Sequence, residues 1–485
     1  MAVELKRCFW SFISRRMLHI LGLVGLAFVS FNIIMLLSSS GDEYESSLLE
    51  TYLDKTNLMN QELGGRFEPN DDIVQLVHVL AYQRTASSVL SHELGSLPGH
   101  FFTFEPVDMT FATLYGLDPG HSHPSNIFND LDGHARYPDH DELEAIQWTL
   151  STIFQCKMAM EWPAQFLLHH FTFRHDGYRR CIASPELYFG AVSSRYHERC
   201  LGHLKGICKG QYDSSSSRMH RCKKVMWTNG RYTTAKQFAQ IKVDLTRDFN
   251  KTEILKFDSY FSCVSRVLPV LRRCAATWLD DVCRASRVRI VKTVRSGMET
   301  PGYFLKKFDN FKLIHLYRDP RGTVNSRFLS SWAASKDERK NVTRIAQRYC
   351  QNVLSDFWMR KSMELRFPDR ILEVISDDFM SRPMYFVDEI SKLLNLSQMV
   401  TNKFVQRLQK AGIINPPTPD TDSVTIETVT KAPSDITTKK MTVAEGRKLK
   451  GQHRIRKWEK MLDQDQLDEI RNMCHDFYRH IHIEW

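Results

Sequence analysis

The feature that most constrains this fold is the segment Ile73–Leu94, IVQLVHVLAYQRTASSVLSHEL. Val74 to Leu80 is short, apolar, rich in β-branched residues and bounded by polar ones, which predicts a buried strand. Val89, Leu90 and Leu94 then recur at helical spacing. Between them lie Arg84, Thr85, Ala86, Ser87 and Ser88. A strand, a tight loop of small residues and a helix start form an anion site, because free backbone N–H groups and the helix dipole meet there. The nucleoside triphosphate version of this unit needs G-x-x-x-x-G-K-[ST]. Neither those glycines nor the lysine is present, which argues against a P-loop kinase.

The rest of the chain repeats the alternation. Strands are predicted at His100–Phe104, Val288–Val294, Phe311–Tyr317 and Arg370–Ile375. Helical periodicity marks DELEAIQWTLSTIF and NVTRIAQRYCQNVLSDFWMRKSMEL. Alternating strands and helices predict an α/β domain with a central parallel sheet flanked by helices. A C-terminal helix is expected after the capping box Asp463-x-x-Gln466, with Leu467, Ile470, Cys474, Phe477 and Ile481 on one face.

A second loop of the same kind follows the Phe311–Tyr317 strand, in KLIHLYRDPRGTVNSRF. Asp319 suits a helix N-cap and Pro320 the first helical position. Ser326 returns to the face of Asp319 two turns later, so Arg318 and Ser326 can meet on one anion. The plainer alternative is an ordinary helix cap beside a surface arginine.

The N-terminus sets the compartment. Met17–Leu37 has 21 residues and no Asp, Glu, Lys or Arg, enough to cross a bilayer core of roughly 30 Å. Lys6, Arg7, Arg15 and Arg16 precede it, which places residues 1–16 in the cytoplasm and everything after Leu37 outside it. A cleaved signal peptide is the alternative. Residues 38–70 are acidic and Ser-rich and read as a stem; residues 71–485 read as the globular domain. Ten of the 11 cysteines follow the span, an even number that suits disulfides in an oxidising compartment. Sequons begin at Asn250, Asn341 and Asn395. The net charge of +10 suits an anionic ligand, and no nucleic-acid-binding signature accompanies it. His121, His123, His134 and His140 lie in a Gly/Pro/Asp-rich segment, 117–145. Their loose spacing favours a solvated loop over a metal site, and no metal is expected. Residues 210–224 read as a surface loop in a variable-looking middle section reaching to about 285. The basic stretch Lys439–Lys460 reads as a solvated face, or as a loop that covers a bound nucleotide or steers an anionic glycan.

QRTASSVLSHEL, FFTFEP, VRIVKTVR, FKLIHLYRDPRGTVNSRF and the terminal WEKML…IRNMC occur in one order across residues 71–485. In these segments the chain resembles the Golgi carbohydrate sulfotransferases, nearest to those that sulfate galactose, N-acetylgalactosamine or N-acetylglucosamine at the 6-hydroxyl. The resemblance implies a P-loop-like α/β fold that uses 3′-phosphoadenosine 5′-phosphosulfate (PAPS) as donor. It implies that Arg84, Thr85, Ala86, Ser87 and Ser88 hold the 5′-phosphosulfate, and that Arg318 and Ser326 hold the 3′-phosphate. Arg84 would also stabilise the leaving phosphate, and Glu105 would be the base that deprotonates the acceptor hydroxyl. The family loop reads R-[ST]-G-[ST]-S, and here Ala86 stands in place of its glycine. The resemblance further implies a single-pass type II Golgi membrane protein with a lumenal catalytic domain and a glycan or proteoglycan acceptor. It is compatible with homo-oligomerisation. A tyrosylprotein sulfotransferase, or a non-catalytic membrane protein of the same fold, are the rival readings. His92 and Glu93 are expected to be structural.

Overall fold

The computed structural model describes chiefly residues 74–115, 140–168, 175–183, 249–329, 341–414 and 457–481, with a few positions between them. The chain divides into two units, Met1–Asn70 and Asp71–Trp485, and the described residues all belong to the second. Among them no helix is long and apolar enough to cross a membrane. The expected span Met17–Leu37, the stem, His121, His123, His134, the 210–224 loop and most of the 439–460 stretch lie outside the described residues.

Five strands form one parallel sheet: β1 (Gln75–Ala81), β2 (His100–Phe104), β3 (Val288–Thr293), β4 (Phe311–Tyr317) and β5 (Ile371–Ile375). Their order is β2-β3-β1-β4-β5. β1 sits at the centre, with Leu80 opposite Thr293 of β3 and His315 of β4. Both faces are covered, as a parallel sheet requires. Leu76 and Leu80 face one apolar cluster with Phe101, Val291 and Phe311, while Val77, Val79 and Ala81 face another with Ile290, Ile314 and Val374.

Helices link and flank the strands: α1 (Ser87–Gly95), α2 (Pro106–Tyr115), α3 (His140–Phe154), α4 (Glu299–Lys307), α5 (Pro320–Phe328), α6 (Val342–Glu364) and α7 (Ser376–Ser381), then α8 (Gln464–Met473) and α9 (His475–Ile481). Asp319 caps α5 by accepting from the Arg321 N–H, with Pro320 at the first helical position. Asn341 caps α6.

One expectation is corrected. The C-terminal helix is two helices. The capping box of Asp463 and Gln466 is present, but Cys474 has φ −109° and ψ 16°, outside helical values, and breaks the axis. Cys474 is tied to Cys350 of α6 by a disulfide, and Ile470, Phe477 and Ile481 stay buried on either side of the break. The variable-looking section before 285 contributes two helices, Lys251–Ser265 and Leu268–Ala275. Their Phe257, Tyr260 and Leu271 lie wholly inside the core. Three further disulfides staple this layer, Cys156–Cys283, Cys181–Cys274 and Cys200–Cys263.

Candidate active site

The carboxyl ends of all five strands deliver a polar side chain to one edge of the sheet. This is where ligands bind in open α/β sheets, at the point where the strand order reverses around β1. β1 leads to Arg84, β2 to Glu105, β3 to Lys292 and Arg295, β4 to Arg318, and β5 to Ser376 and Asp377.

The loop after β1 is internally braced. The Thr85 hydroxyl donates to the Tyr82 carbonyl at 2.8 Å, and Ser376 donates to the Thr85 carbonyl. Ala86 directly precedes α1, with φ 60° and ψ 11°. Arg84 and Glu105 also have positive φ, 71° and 52°. L-residues in this region cost about 1–2 kcal/mol each, so three at one edge mark a site where shape overrides local preference. Ala86 therefore adopts the turn that glycine would take, despite its Cβ.

Arg84 Nε donates to Ser326 Oγ at 2.9 Å, which joins the first loop to α5. Burial and the nearby Arg318 charge both lower the Arg84 pKa, so two guanidinium groups share one region and an anion there would relieve their repulsion. Arg318 Nε is 3.3 Å from Asp377 Oδ1, and Asp377 Oδ2 accepts from the Asp319 N–H at 3.1 Å. Gly322 makes room for Arg318: a Cβ on it would lie 2.7 Å from Arg318 Nε. Arg318 and Ser326 were expected to meet on one anion. In the structure each has a protein partner, Asp377 and Arg84 respectively, and the two loops are linked through the Arg84–Ser326 bond.

A cavity of about 420 Å³ opens beside these groups, within the range of small-molecule clefts, about 300–1,000 Å³. Ala86, Ser88, Arg318, Ser376 and Asp377 line it, with Val89 and Met380 as apolar walls. His92 and Glu93 also line it. They are anchored elsewhere as well, His92 against the rings of Phe102 and Phe104 and Glu93 in an ion pair with Arg407. Ser87 is buried at the first turn of α1.

Glu105 emerges at the same edge, directly after β2. Its Oε1 accepts from Lys292 Nζ and its Oε2 from Arg295 Nη1 at 2.8 Å. Burial would push this carboxyl up, but the Lys292 and Arg295 charges outweigh it and hold the pKa at about 2. Asp108 lies 3.6 Å from Arg295 Nε. Lys292 and Arg295 were not singled out from the sequence. A lysine inside the apolar strand VRIVKTV was the available signal, because a charge 1% exposed must be paired.

No protein-family model matches the chain, and no curated protein sequence does. Among solved structures it is similar to a crystal structure of the sulfotransferase STF9 from Mycobacterium avium. Identity is 12% and the TM-score 0.27, over 70% of this chain and 69% of that one.

Proposed function

We propose that the protein is a PAPS-dependent carbohydrate 6-O-sulfotransferase. The observation that carries this reading is one sheet edge that pairs a double-arginine anion site and a cavity with a half-buried carboxylate held by two buried cations. Arg84 and the N–H groups at the start of α1 suit the phosphosulfate, and Arg318 with Ser326 suits the 3′-phosphate. The cavity beside them, lined by Val89, Met380 and Asp377, suits the nucleoside.

In this reading the donor supplies an activated sulfuryl group. The acceptor hydroxyl oxygen forms a bond to sulfur while the bond from sulfur to the phosphate oxygen breaks, and the electron pair leaves on that oxygen. Arg84 and the loop amides stabilise the charge that builds there. Glu105 takes the hydroxyl proton. At a pKa of about 2 it is a weak base while Lys292 and Arg295 both hold it. Anionic donor oxygens give those two cations a competing partner, which loosens their hold and raises the basicity of the carboxylate.

We also propose a type II Golgi membrane protein anchored through Met17–Leu37, with residues 71–485 lumenal. Four disulfides among the described residues suit an oxidising compartment. The sequon asparagines 250, 341 and 395 are all exposed, and a mobility shift on treatment with an N-glycanase checks the orientation.

The activity test is transfer of labelled sulfate from PAPS to chondroitin, keratan and N-acetylglucosamine-terminated acceptors, with tyrosine peptides as the rival acceptor. Label at the 6-hydroxyl of a sugar supports the proposal. Label on tyrosine alone, or on nothing while the donor is bound, overturns it in favour of one of the two rivals.

A further inference from the structure

Asp356 lies in the middle of α6, 5% exposed, and the mechanism above makes no use of it. Both its oxygens are engaged by groups from different loops of the site edge. Oδ2 accepts from the Tyr82 hydroxyl at 2.6 Å, and Oδ1 accepts from the Met298 N–H at 2.8 Å. Tyr82 is the first residue after β1, and its carbonyl is the anchor on which Thr85 folds the loop of Arg84. Met298 ends the loop after β3, which carries the Arg295 bound to Glu105. One carboxylate thus spans the loop of the anion site and the loop of the proposed base. The helix that carries it is itself fixed six residues earlier, through Cys350 and its disulfide to Cys474.

The cost of this arrangement argues against a filling role. Burial outweighs the hydrogen bonds from Tyr82 and Met298 and pushes the Asp356 carboxyl up to about 7, with Glu299 adding to the rise. Among the described residues no ion pair joins it to a cation: Tyr82 also meets Nε2 of a buried His315 at 2.8 Å, and burial and Arg360 keep that imidazole neutral. An apolar side chain would fill the same space without desolvating a charge. What an apolar side chain lacks is the ability to hold two donors at a fixed separation.

We propose that Asp356 is a positioning residue, a strut that bridges Tyr82 and Met298 and so sets the spacing between the Arg84 loop and the Glu105–Arg295 pair. Its functional consequence rests on the sulfotransferase reading; the bridge itself does not. Asn can serve the same bridge, accepting from Met298 with its oxygen and donating to Tyr82 with its amide. Ala cannot.

The test measures backbone hydrogen exchange, affinity for 3′-phosphoadenosine 5′-phosphate, and kcat for transfer on the full chain. The proteins compared are wild type, Asp356→Ala, Asp356→Asn and Tyr82→Phe. In Asp356→Ala, residues 82–88 and 294–299 should lose protection together, by about tenfold or more, while β1 and β4 keep theirs. The fall in kcat should exceed the fall in affinity, and Asp356→Asn should restore most of both. Unchanged exchange in either segment, or no rescue by Asn, overturns the strut. If Asp356→Ala does not fold, Tyr82→Phe cuts one arm alone: 82–88 should loosen and 294–299 should not, and equal behaviour of the two segments overturns the proposal. Loosening of both segments in Asp356→Ala, beside a wild type that binds no nucleotide, leaves the strut standing and removes the sulfotransferase reading instead.

Discussion

At the scale of single residues, the site is a set of local compromises. Glu105 is both the proposed base and the counter-ion of two buried cations. Glu105→Gln should therefore do two things. It should lower kcat by about 10²–10⁴-fold, the usual weight of a general base. It should also lower Tm, because Lys292 and Arg295 lose the carboxylate charge they share, although Arg295 keeps Asp108; breaking a buried pair costs about 3–5 kcal/mol. The pH dependence separates this from simple loss of packing. Glu105 has a folded pKa of about 2, below its ordinary value. Its stabilisation is therefore present above about pH 4.5 and is lost as pH falls through the folded pKa. Thermal melts should show the gap between wild type and Glu105→Gln at its widest above pH 5 and shrinking towards pH 2. A gap independent of pH would mean that the carboxylate charge is not what the site uses. Ala86 is the second compromise. Its left-handed backbone is already formed, so Ala86→Gly removes strain but adds unfolded-state entropy. The net should be a gain of about 1 kcal/mol or less, with donor affinity kept or improved. A clear drop in Tm would show that the Ala86 methyl, which lines the cavity, contributes packing that outweighs its strain.

Single elements were the most legible part of the sequence. Val77, Val79 and Ile290 lie in runs rich in β-branched residues and Ile314 in a short apolar run, and each falls in a strand within a residue or so of its expected bounds. The loop hydroxyls, Asp319 and Pro320 likewise do locally what their chemistry dictates. What escaped is non-local. The strand order β2-β3-β1-β4-β5 depends on crossovers of up to nearly 200 residues, which no local pattern encodes. The partners of Arg318 and Ser326 depend on where Asp377 and Arg84 arrive from other strands. Asp356 left a faint trace, a carboxylate on the same helical stripe as buried Val353 and Phe357. The break at Cys474 was hidden because a continuous apolar face continues across it. That break sits at a staple between α6 and the C-terminal helices. The Cys350–Cys474 bridge closes a loop with a sequence separation of 124 residues, which in a chain-entropy model is worth about 4–5 kcal/mol. Replacing both cysteines with serine should lower Tm and free α8 and α9 to exchange, without changing exchange in β1 or β4. Equal loosening of sheet and C-terminal helices would show that the staple supports the whole domain rather than one edge.

At the scale of the whole molecule, one parallel sheet explains why residues more than 290 positions apart in sequence, such as Arg84 and Asp377, act at one place. Strands that run the same way put all their carboxyl ends on one edge, and each end here carries a polar group to which the proposed function gives a part in binding an anion, moving a proton or orienting a neighbour. Two cations brought together by folding, Arg84 and Arg318, make sense energetically once a doubly phosphorylated ligand sits between them. The most direct test is calorimetric titration of the full chain with 3′-phosphoadenosine 5′-phosphate, beside Arg84→Ala. Saturable one-site binding is expected, weakened by about ten- to a hundredfold in the variant, as loss of a charge-assisted contact requires. Absence of binding to the wild type, or equal binding by Arg84→Ala, would contradict the assignment of this edge to a phosphosulfate donor.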